Sequence, residues 1–440
     1  MKKVHITTLG CSKNLVDSEV LQGQLEYHDF QFVDQAEQSD LLIVNTCGFI
    51  EKAKEESIQA IFEALELKKA DPAKKVFVTG CLSERYRADI EKDIPEVDAI
   101  FGTEDYRAIL QALGKKHAAN DNLYRLRRVT TPRHFAYLKI SEGCNHTCAF
   151  CAIPGIRGKH RSRTVEALVE EARKLAAGGA RELILISQDT SYYGKDIYGK
   201  QSITRLLQAL EQVEGIRWIR VLYWYPTNFP LDVLDFMKDS ARLVPYLDMP
   251  IQHVSDRMLK LMRRGDSRRS LEKLYETILS RVPGITLRTT LITGHPGETE
   301  EDFRELKNFV RQFKFDRLGT FTYSDEEGTP AFTLENKVPA ELAGQRQAEI
   351  MELQRDISLE KNQALCDTEQ LVLLDEFDIS TNFYSGRTFR DAPEIDNEVL
   401  IPARPGTAYK PGDFARVRID EAAEYELYGH FTDASKEQIP

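Results

Sequence analysis

The 440-residue sequence predicts an α/β protein built in three parts: an amino-terminal doubly wound parallel sheet, a central partial (βα)6 barrel and a small antiparallel, OB-like β-barrel at the carboxyl end. Three observations predict it. Short β-branched runs alternate with helical stretches over most of the chain. Near residue 366 the pattern changes to short alternating runs separated by Gly and Pro. The length exceeds what one core usually supports. The parts are expected at residues 1–120, 130–365 (with a linker helix) and 366–436.

In the first part KKVHITTLGC, LLIVNTCG and KKVFVTGC read as strands, each followed by a helical stretch such as EKAKEESIQAIFEALELKK. Cys11, Cys47 and Cys81 stand at the carboxyl ends of these strands, the edge where open α/β sheets bind ligands. A lone cysteine there is most simply a small buried hydrophobe. Three at one topological position predict thiols converging on a metal site.

After a basic connector, NLYRLRRVTTPRH, six further strands are expected: FAYLKIS, RELILISQD, IRWIRVLYW, YLDMPIQ, ITLRTTLIT and RLGTFTY. Amphipathic helices separate them, such as RTVEALVEEARKLAAGG, which stops at Gly178–Gly179. Six units suit a partial barrel with its functional groups at the strand carboxyl ends. The charged helix PAELAGQRQAEIMELQRDISLEKNQALC closes this part. QLVLLDEF, EVLIPA, FARVRIDEA and YELYGHF then supply the strands of the small barrel.

With 42% apolar and 29% charged residues and no run of 18 apolar ones, the composition is that of a soluble globular chain without a membrane span. The start lacks the apolar stretch of a signal peptide. A cytoplasmic, reducing setting follows, in which seven cysteines serve metal or redox chemistry rather than disulfides. The net charge of −11 argues against a generally basic nucleic-acid binder. The acidity is concentrated: from Cys366 onward there are 7 Lys+Arg against 16 Asp+Glu, while the preceding residues hold 52 against 54.

The stretch SEGCNHTCAFCAIP places Cys144, Cys148 and Cys151 as C-x3-C-x2-C after the first barrel strand. This spacing lets a loop wrap one corner of a four-iron cube. A structural zinc site, the competing reading, is closed and four-coordinate. No second cysteine pair lies nearby, and His146 is poorly placed within the loop to complete a tetrahedron. Three thiolates leave one iron open, as catalytic metals are. A two-cluster electron carrier would need a fourth cysteine for each cube, and only Cys366 remains.

C-x3-C-x2-C at this place in a partial barrel resembles the radical S-adenosylmethionine superfamily. The stretches TLGCSKNLVDSE, NTCGFI, GCNHTCAFCAIP, RGKHRSR, PIQHVSDRMLKLMRRG and SDEEGTPA resemble its methylthiotransferases over essentially the whole chain, with a terminal barrel of the TRAM type. The resemblance implies two [4Fe-4S] clusters and S-adenosyl-L-methionine as cofactors. Cys144, Cys148 and Cys151 would hold the cluster that makes a 5′-deoxyadenosyl radical. Cys11, Cys47 and Cys81 would hold the one whose open iron carries the sulfur to be methylated and transferred. All six cysteines are thus expected to be metal ligands and catalytic. Gln188 and Asp189, ending the second barrel strand, are expected at the S-adenosylmethionine amino group. Arg161 and Arg163 are expected with them among the cofactor-binding residues, neutralising carboxylates at the site, the alternative being solvated helix-entry charges.

His295 in ITGHPGETEEDF departs from the aromatic residue expected in that turn. It reads as part of a turn before a helix capped by Thr299 and Asp302 rather than as a catalytic imidazole.

TLGCSKNLVDSE resembles the branch that methylthiolates an aspartate β-carbon in the twelfth protein of the small ribosomal subunit. The alternative substrate is a modified adenosine in transfer RNA. The terminal barrel has Phe383, Tyr384, Phe389 and Tyr409 as aromatics for stacking, but its net charge of −9 would repel a phosphate backbone. A basic ribosomal protein is therefore the expected partner, docked on acids such as Asp391, Glu394, Asp396 and Glu398. RNA contact is not favoured. An electron donor such as flavodoxin or ferredoxin is implied.

Overall fold

The computed structural model describes residues 2–116, 123–403 and 409–432; the ends of the first and third expected parts, 117–120 and 433–436, lie outside them. The amino-terminal sheet is parallel throughout, with strands Lys3–Thr8, Leu41–Thr46 and Lys75–Gly80 adjacent at its centre and two-residue strands at its edges. Leu41–Thr46 is buried along its whole length, because helices cover both faces of the sheet. Leu42 and Val44 pack with Ile61, Val76 and Val78 on one face. Leu41 and Ile43 pack with Val16, Val20 and Phe77 on the other.

The six barrel strands are Phe135–Lys139, Glu182–Ile186, Trp218–Val221, Tyr246–Asp248, Thr286–Thr293 and Arg317–Thr322. They pair in parallel as two triplets, joined by a bridge between Ile219 and Leu243. Period-2 alternation divides their side chains. Ala136, Leu138, Leu183 and Leu185 face the outer helices. Phe135, Tyr137, Ile184 and Ile186 share a cluster with Val16, Val20 and Leu21 of helix Ser12–Tyr27, so the first two parts have a common core. The basic connector belongs to this joint. Arg127 lies between Glu19 at 2.5 Å and Glu171 at 2.8 Å, all three side chains at most 4% exposed. Leaving either carboxylate unpaired there would cost about 3–5 kcal/mol.

Helix Ala340–Gln363 leads to a closed five-stranded barrel. It is antiparallel except at one place: Glu398–Pro402 runs parallel to Glu426–Phe431. A ring of five strands cannot alternate direction all the way round, so closure forces one parallel pair where the sequence pattern suggested none.

Two expectations about this barrel are corrected in part by its packing. Asp391 accepts from Arg317 at 2.5 Å, and Asp396 accepts from Tyr246 Oη at 2.6 Å and Arg288 at 3.2 Å. Glu394 accepts from Tyr137 Oη at 3.2 Å. These acids bind the small barrel to strands of the large one, together with Arg387 between Glu182 and Asp375. Asp391 is buried and the Asp396 carboxylate is covered by Arg288 and Tyr246, so two of the four expected docking acids face inward, while Glu394 and Glu398 stay exposed. Of the expected stacking aromatics only Tyr384 is buried; Phe383, Phe389 and Tyr409 are half-buried, and Tyr425 and Tyr428 of the same barrel are exposed. Tyr384 packs against Phe377 and Phe431, Tyr409 stacks on Phe431, and Phe389 joins the shared core.

No helix among the described residues is long and apolar enough to cross a membrane.

Candidate functional site

The parallel order of the amino-terminal sheet puts the three strand-end cysteines side by side. Cys11 caps helix Ser12–Tyr27, and Cys81 opens helix Cys81–Arg85. Cys47 is pinned through its backbone by Ser57 Oγ, which accepts from its N–H and donates to its carbonyl, both at 2.9 Å. Asn14 stitches the loops together. Its amide donates to Leu9 O and Thr46 O at 2.9 Å, and its Oδ1 lies 3.5 Å from Cys81 Sγ.

The closeness of the loops demands glycine at two of the neighbouring positions. Gly10 has φ +89°, and a Cβ there would stand 2.9 Å from Cys47 Sγ. A Cβ on Gly48 would stand 2.6 Å from Leu82 Cα, a backbone atom that cannot move aside. Gly48→Ala is therefore expected to splay the loops and lower iron bound on reconstitution to about half of the wild-type content, with the barrel cluster retained. Iron and sulfide analysis after anaerobic loading checks it.

The second triplet lies in a loop fixed from several sides. Cys144 N donates to Gly158 O at 3.0 Å, Ala149 N to Met262 O at 2.8 Å, and Ala331 N to Ala149 O at 2.8 Å. Cys144 Sγ accepts from His146 N at 3.4 Å. The His146 ring stacks on Tyr225 with centroids 3.7 Å apart, and its Nε2 is 2.7 Å from Asp189 Oδ2. Cys148 Sγ is 3.7 Å from Tyr225 Oη and 4.0 Å from Arg264 Nη1. His146 is thus held by Asp189 and Tyr225.

Of the other expected residues, Gln188 donates to Glu142 at 2.8 Å, while Gln188 Oε1 and Asp189 Oδ1 are buried without hydrogen-bond partners. Arg161 is exposed and paired with Glu104 at 2.5 Å. Arg163 is occupied by Glu171 at 2.6 Å, by Lys139 O at 2.9 Å and by the face of Tyr124. Both arginines neutralise carboxylates, but those of neighbouring elements.

Burial pushes the thiols up: Cys144 to about 11, Cys151 and Cys81 to about 12, and Cys47 in the same direction. Cysteine nucleophiles are tuned the opposite way. Protonated, buried thiols suit ligands that give up their protons only to a metal. All seven cysteines are free. No three His, Cys, Asp or Glu side chains among the described residues gather round a single-ion position. A cluster that offers a separate iron to each thiol makes no such demand. The donor set of the barrel loop fits one: three thiols, and two unpaired buried oxygens close by.

The stretch Ser324–Ala331 reaches both triplets. Besides the Ala331 contact, Glu326 pairs with Arg85 at 2.7 Å, and Arg85 also donates to Gly48 O at 3.1 Å. A cavity of about 620 Å³ opens between the two parts, lined by Arg85 and Tyr86 on one side and by Thr147, Cys148 and Cys151 on the other. That is large enough for a small-molecule ligand.

Sequence reasoning missed Arg157, the first arginine of RGKHRSR, although Arg161 and Arg163 of the same run were singled out. It is buried and donates to Asp17 at 3.0 Å, to Glu142 at 3.1 Å, to Asn14 at 2.5 Å and to Cys81 Sγ at 3.5 Å. The available signal was its position six residues after Cys151.

His295 is fully buried, with Nδ1–H donating to Pro296 O at 3.0 Å and the ring against Phe150 and Tyr323. The capping box of Thr299 and Asp302 follows it. Burial holds the imidazole neutral, down to about 4. An unfolded histidine takes its proton near 6.5, so the unfolded state binds the proton first as pH falls. His295 should therefore cost stability from about pH 6.5 downward, levelling off below about 4, on the order of 1–2 kcal/mol by pH 5. Urea unfolding of His295→Phe from pH 7 to 5 should show a shallower acid slope than wild type.

Comparison with known proteins agrees with this layout. Residues 3–102 match the profile described as uncharacterized protein family UPF0004, residues 138–310 the radical SAM superfamily and residues 368–431 the TRAM domain. Radical S-adenosylmethionine methyltransferase TsrM from Kitasatospora setae shares the fold (TM-score 0.55, 14% identity, 75% of this chain and 74% of that one). So does the cobalamin-dependent S-adenosylmethionine radical enzyme OxsB (TM-score 0.54, 12% identity, 81% and 58%). The ribosomal protein uS12 methylthiotransferase RimO of Christiangramia forsetii is 48% identical over 99% of this chain and 96% of its own. That of Aquifex aeolicus is 46% identical over 98% of both. With that identity carried across all three parts, the chain belongs to the RimO family of radical S-adenosylmethionine methylthiotransferases.

Proposed function

We propose that this enzyme replaces a hydrogen on the β-carbon of an aspartate in ribosomal protein uS12 by a methylthio group. The observation that carries the reaction is the facing of two cysteine triplets across one seam, bridged by Arg157. The substrate rests on the relatives' names. Cys144, Cys148 and Cys151 hold one [4Fe-4S] cluster, and Cys11, Cys47 and Cys81 hold a second. When bound, the first supplies the electron that cleaves S-adenosylmethionine to a 5′-deoxyadenosyl radical.

The protein's own groups do the rest of the positioning. Gln188 Oε1 and Asp189 Oδ1, buried and unpaired, accept hydrogen bonds from the amino group of S-adenosylmethionine. Asp189 also keeps His146 flat on Tyr225, which covers Cys148 and keeps water from it. The cavity lined by Cys148 and Cys151 of the barrel loop and by Arg85 and Tyr86 of the amino-terminal part admits the substrate side chain. The seven free thiols suit a reducing cytoplasm with a flavodoxin or ferredoxin as electron donor. The net negative charge of the small barrel favours a basic protein partner over a phosphate backbone.

Mass spectrometry of uS12 and of transfer RNA from cells with and without the gene tests the reading. The expected result is loss of the methylthio group from one uS12 aspartate alone. Its loss from adenosine in transfer RNA instead would overturn it.

A further inference from the structure

Arg157 places two guanidinium edges in different surroundings. Nη1 faces the carboxylates of Asp17 at 3.0 Å and Glu142 at 3.1 Å. Nη2 faces Asn14 Oδ1 at 2.5 Å and Cys81 Sγ at 3.5 Å. Lys139 completes the group, close to Asp17 and 2.6 Å from Glu142. Arg157, Lys139, Asp17 and Glu142 are each at most 7% exposed. The partly exposed Glu104 reaches Lys139 from the rim at 3.5 Å while pairing with Arg161, so the buried carboxylates are matched by the buried cations. The carboxylates absorb the charge on the Nη1 side. The Nη2 edge is left to act as a hydrogen-bond donor to sulfur.

The placement in the chain adds to this. Arg157 ends helix Ile153–Arg157, which follows directly from the loop of Cys144, Cys148 and Cys151. Glu142 lies two residues before Cys144. The donor to Cys81 is thus carried by the element that bears the other triplet, and its aim is fixed by a carboxylate next to that triplet. Hydrogen bonds to ligating sulfur stabilise the reduced state of an iron–sulfur cluster and raise its reduction potential. Arginine suits the task because its planar fork serves the carboxylates and the sulfur together, which a lysine ammonium cannot.

We infer that Arg157 is a positioning residue of the radical loop that raises the reduction potential of the cluster at Cys11, Cys47 and Cys81 by donating a hydrogen bond to Cys81 Sγ. This rests on the reading of that triplet as a cluster site.

The test uses the full-length chain with Cys144, Cys148 and Cys151 all replaced by alanine, so that only the amino-terminal cluster is titrated. Iron is counted, and the midpoint potential is followed by electron paramagnetic resonance. Arg157→Lys keeps a positive charge beside the carboxylates. Arg157→Gln combined with Asp17→Asn keeps the buried charges balanced by removing one of each sign. Both variants are expected to retain about four irons per chain and to titrate at a more negative potential than the parent. Their Fe–S(Cys) stretching bands should move to higher frequency as the hydrogen bond is lost. Unchanged potentials with iron retained would overturn the inference. Iron lost from both variants while the parent is loaded would also overturn it, by making Arg157 a residue that holds the cluster rather than tunes it. A parent without iron would remove the cluster assignment itself, and the inference with it.

Discussion

Cys144→Ala, Cys148→Ala and Cys151→Ala are each expected to reduce S-adenosylmethionine cleavage to background in anaerobic assay. On the proposed reading the loop provides three thiols to a cluster that leaves one corner without a protein ligand, so removing another leaves two. The loop around them has little freedom to compensate. It is tied at Cys144 to Gly158, at Ala149 to Met262 and again at Ala149 to Ala331, so the loop backbone cannot shift to close the gap. His146 is nearest in sequence, but its ring is committed to Asp189 and Tyr225. Release of 5′-deoxyadenosine, measured by chromatography, is the readout. Cleavage near the wild-type rate in any of the three variants would refute the assignment of this loop. Asp189→Asn should have a smaller effect, weakening S-adenosylmethionine binding by roughly tenfold through loss of charge toward its amino group.

The strand ends that carry cysteines were legible because strand-then-helix alternation fixes which end of each strand is which. The parallel order of Lys3–Thr8, Leu41–Thr46 and Lys75–Gly80 then brings Cys11, Cys47 and Cys81 together over separations of 36 and 34 residues. The barrel loop was legible from spacing alone, since its three thiols lie within eight positions. Contacts between parts were not. A surplus of carboxylates after Cys366 says nothing about where they face. Asp391 meets Arg317 and Asp396 meets Arg288 across gaps of 74 and 108 residues, so part of the apparent docking charge is spent inside the molecule. Arg157 was hidden for a related reason. A buried arginine and an exposed one look alike in sequence, and its partners Asp17, Asn14 and Cys81 come from another part of the chain. Alternation of two likewise identifies strands without pairing them, which is why the parallel closure of the small barrel emerged only from its register.

The amino-terminal triplet should fail differently. Cys11→Ala is its cleanest test, because Cys11 is exposed and truncating it opens no buried cavity, whereas Cys81 is buried beside Arg157. The variant is expected to lose the amino-terminal cluster, leaving about four irons per chain after loading in place of about eight. The barrel loop keeps its ties to Gly158, Met262 and Ala331, none of which passes through Cys11. S-adenosylmethionine cleavage without substrate should therefore persist within a few-fold of wild type. Methylthiolated uS12 should fall below detection, since the thiols that would hold the sulfur-bearing iron no longer suffice. The two readouts separate the roles within one sample: 5′-deoxyadenosine formed without methylthio product assigns radical formation to the barrel and sulfur delivery to the amino-terminal sheet. Methylthiolation by Cys11→Ala at the wild-type rate would show that the first triplet does not deliver sulfur. Loss of both activities together, with four irons still bound, would show that the amino-terminal cluster is also needed for the radical step.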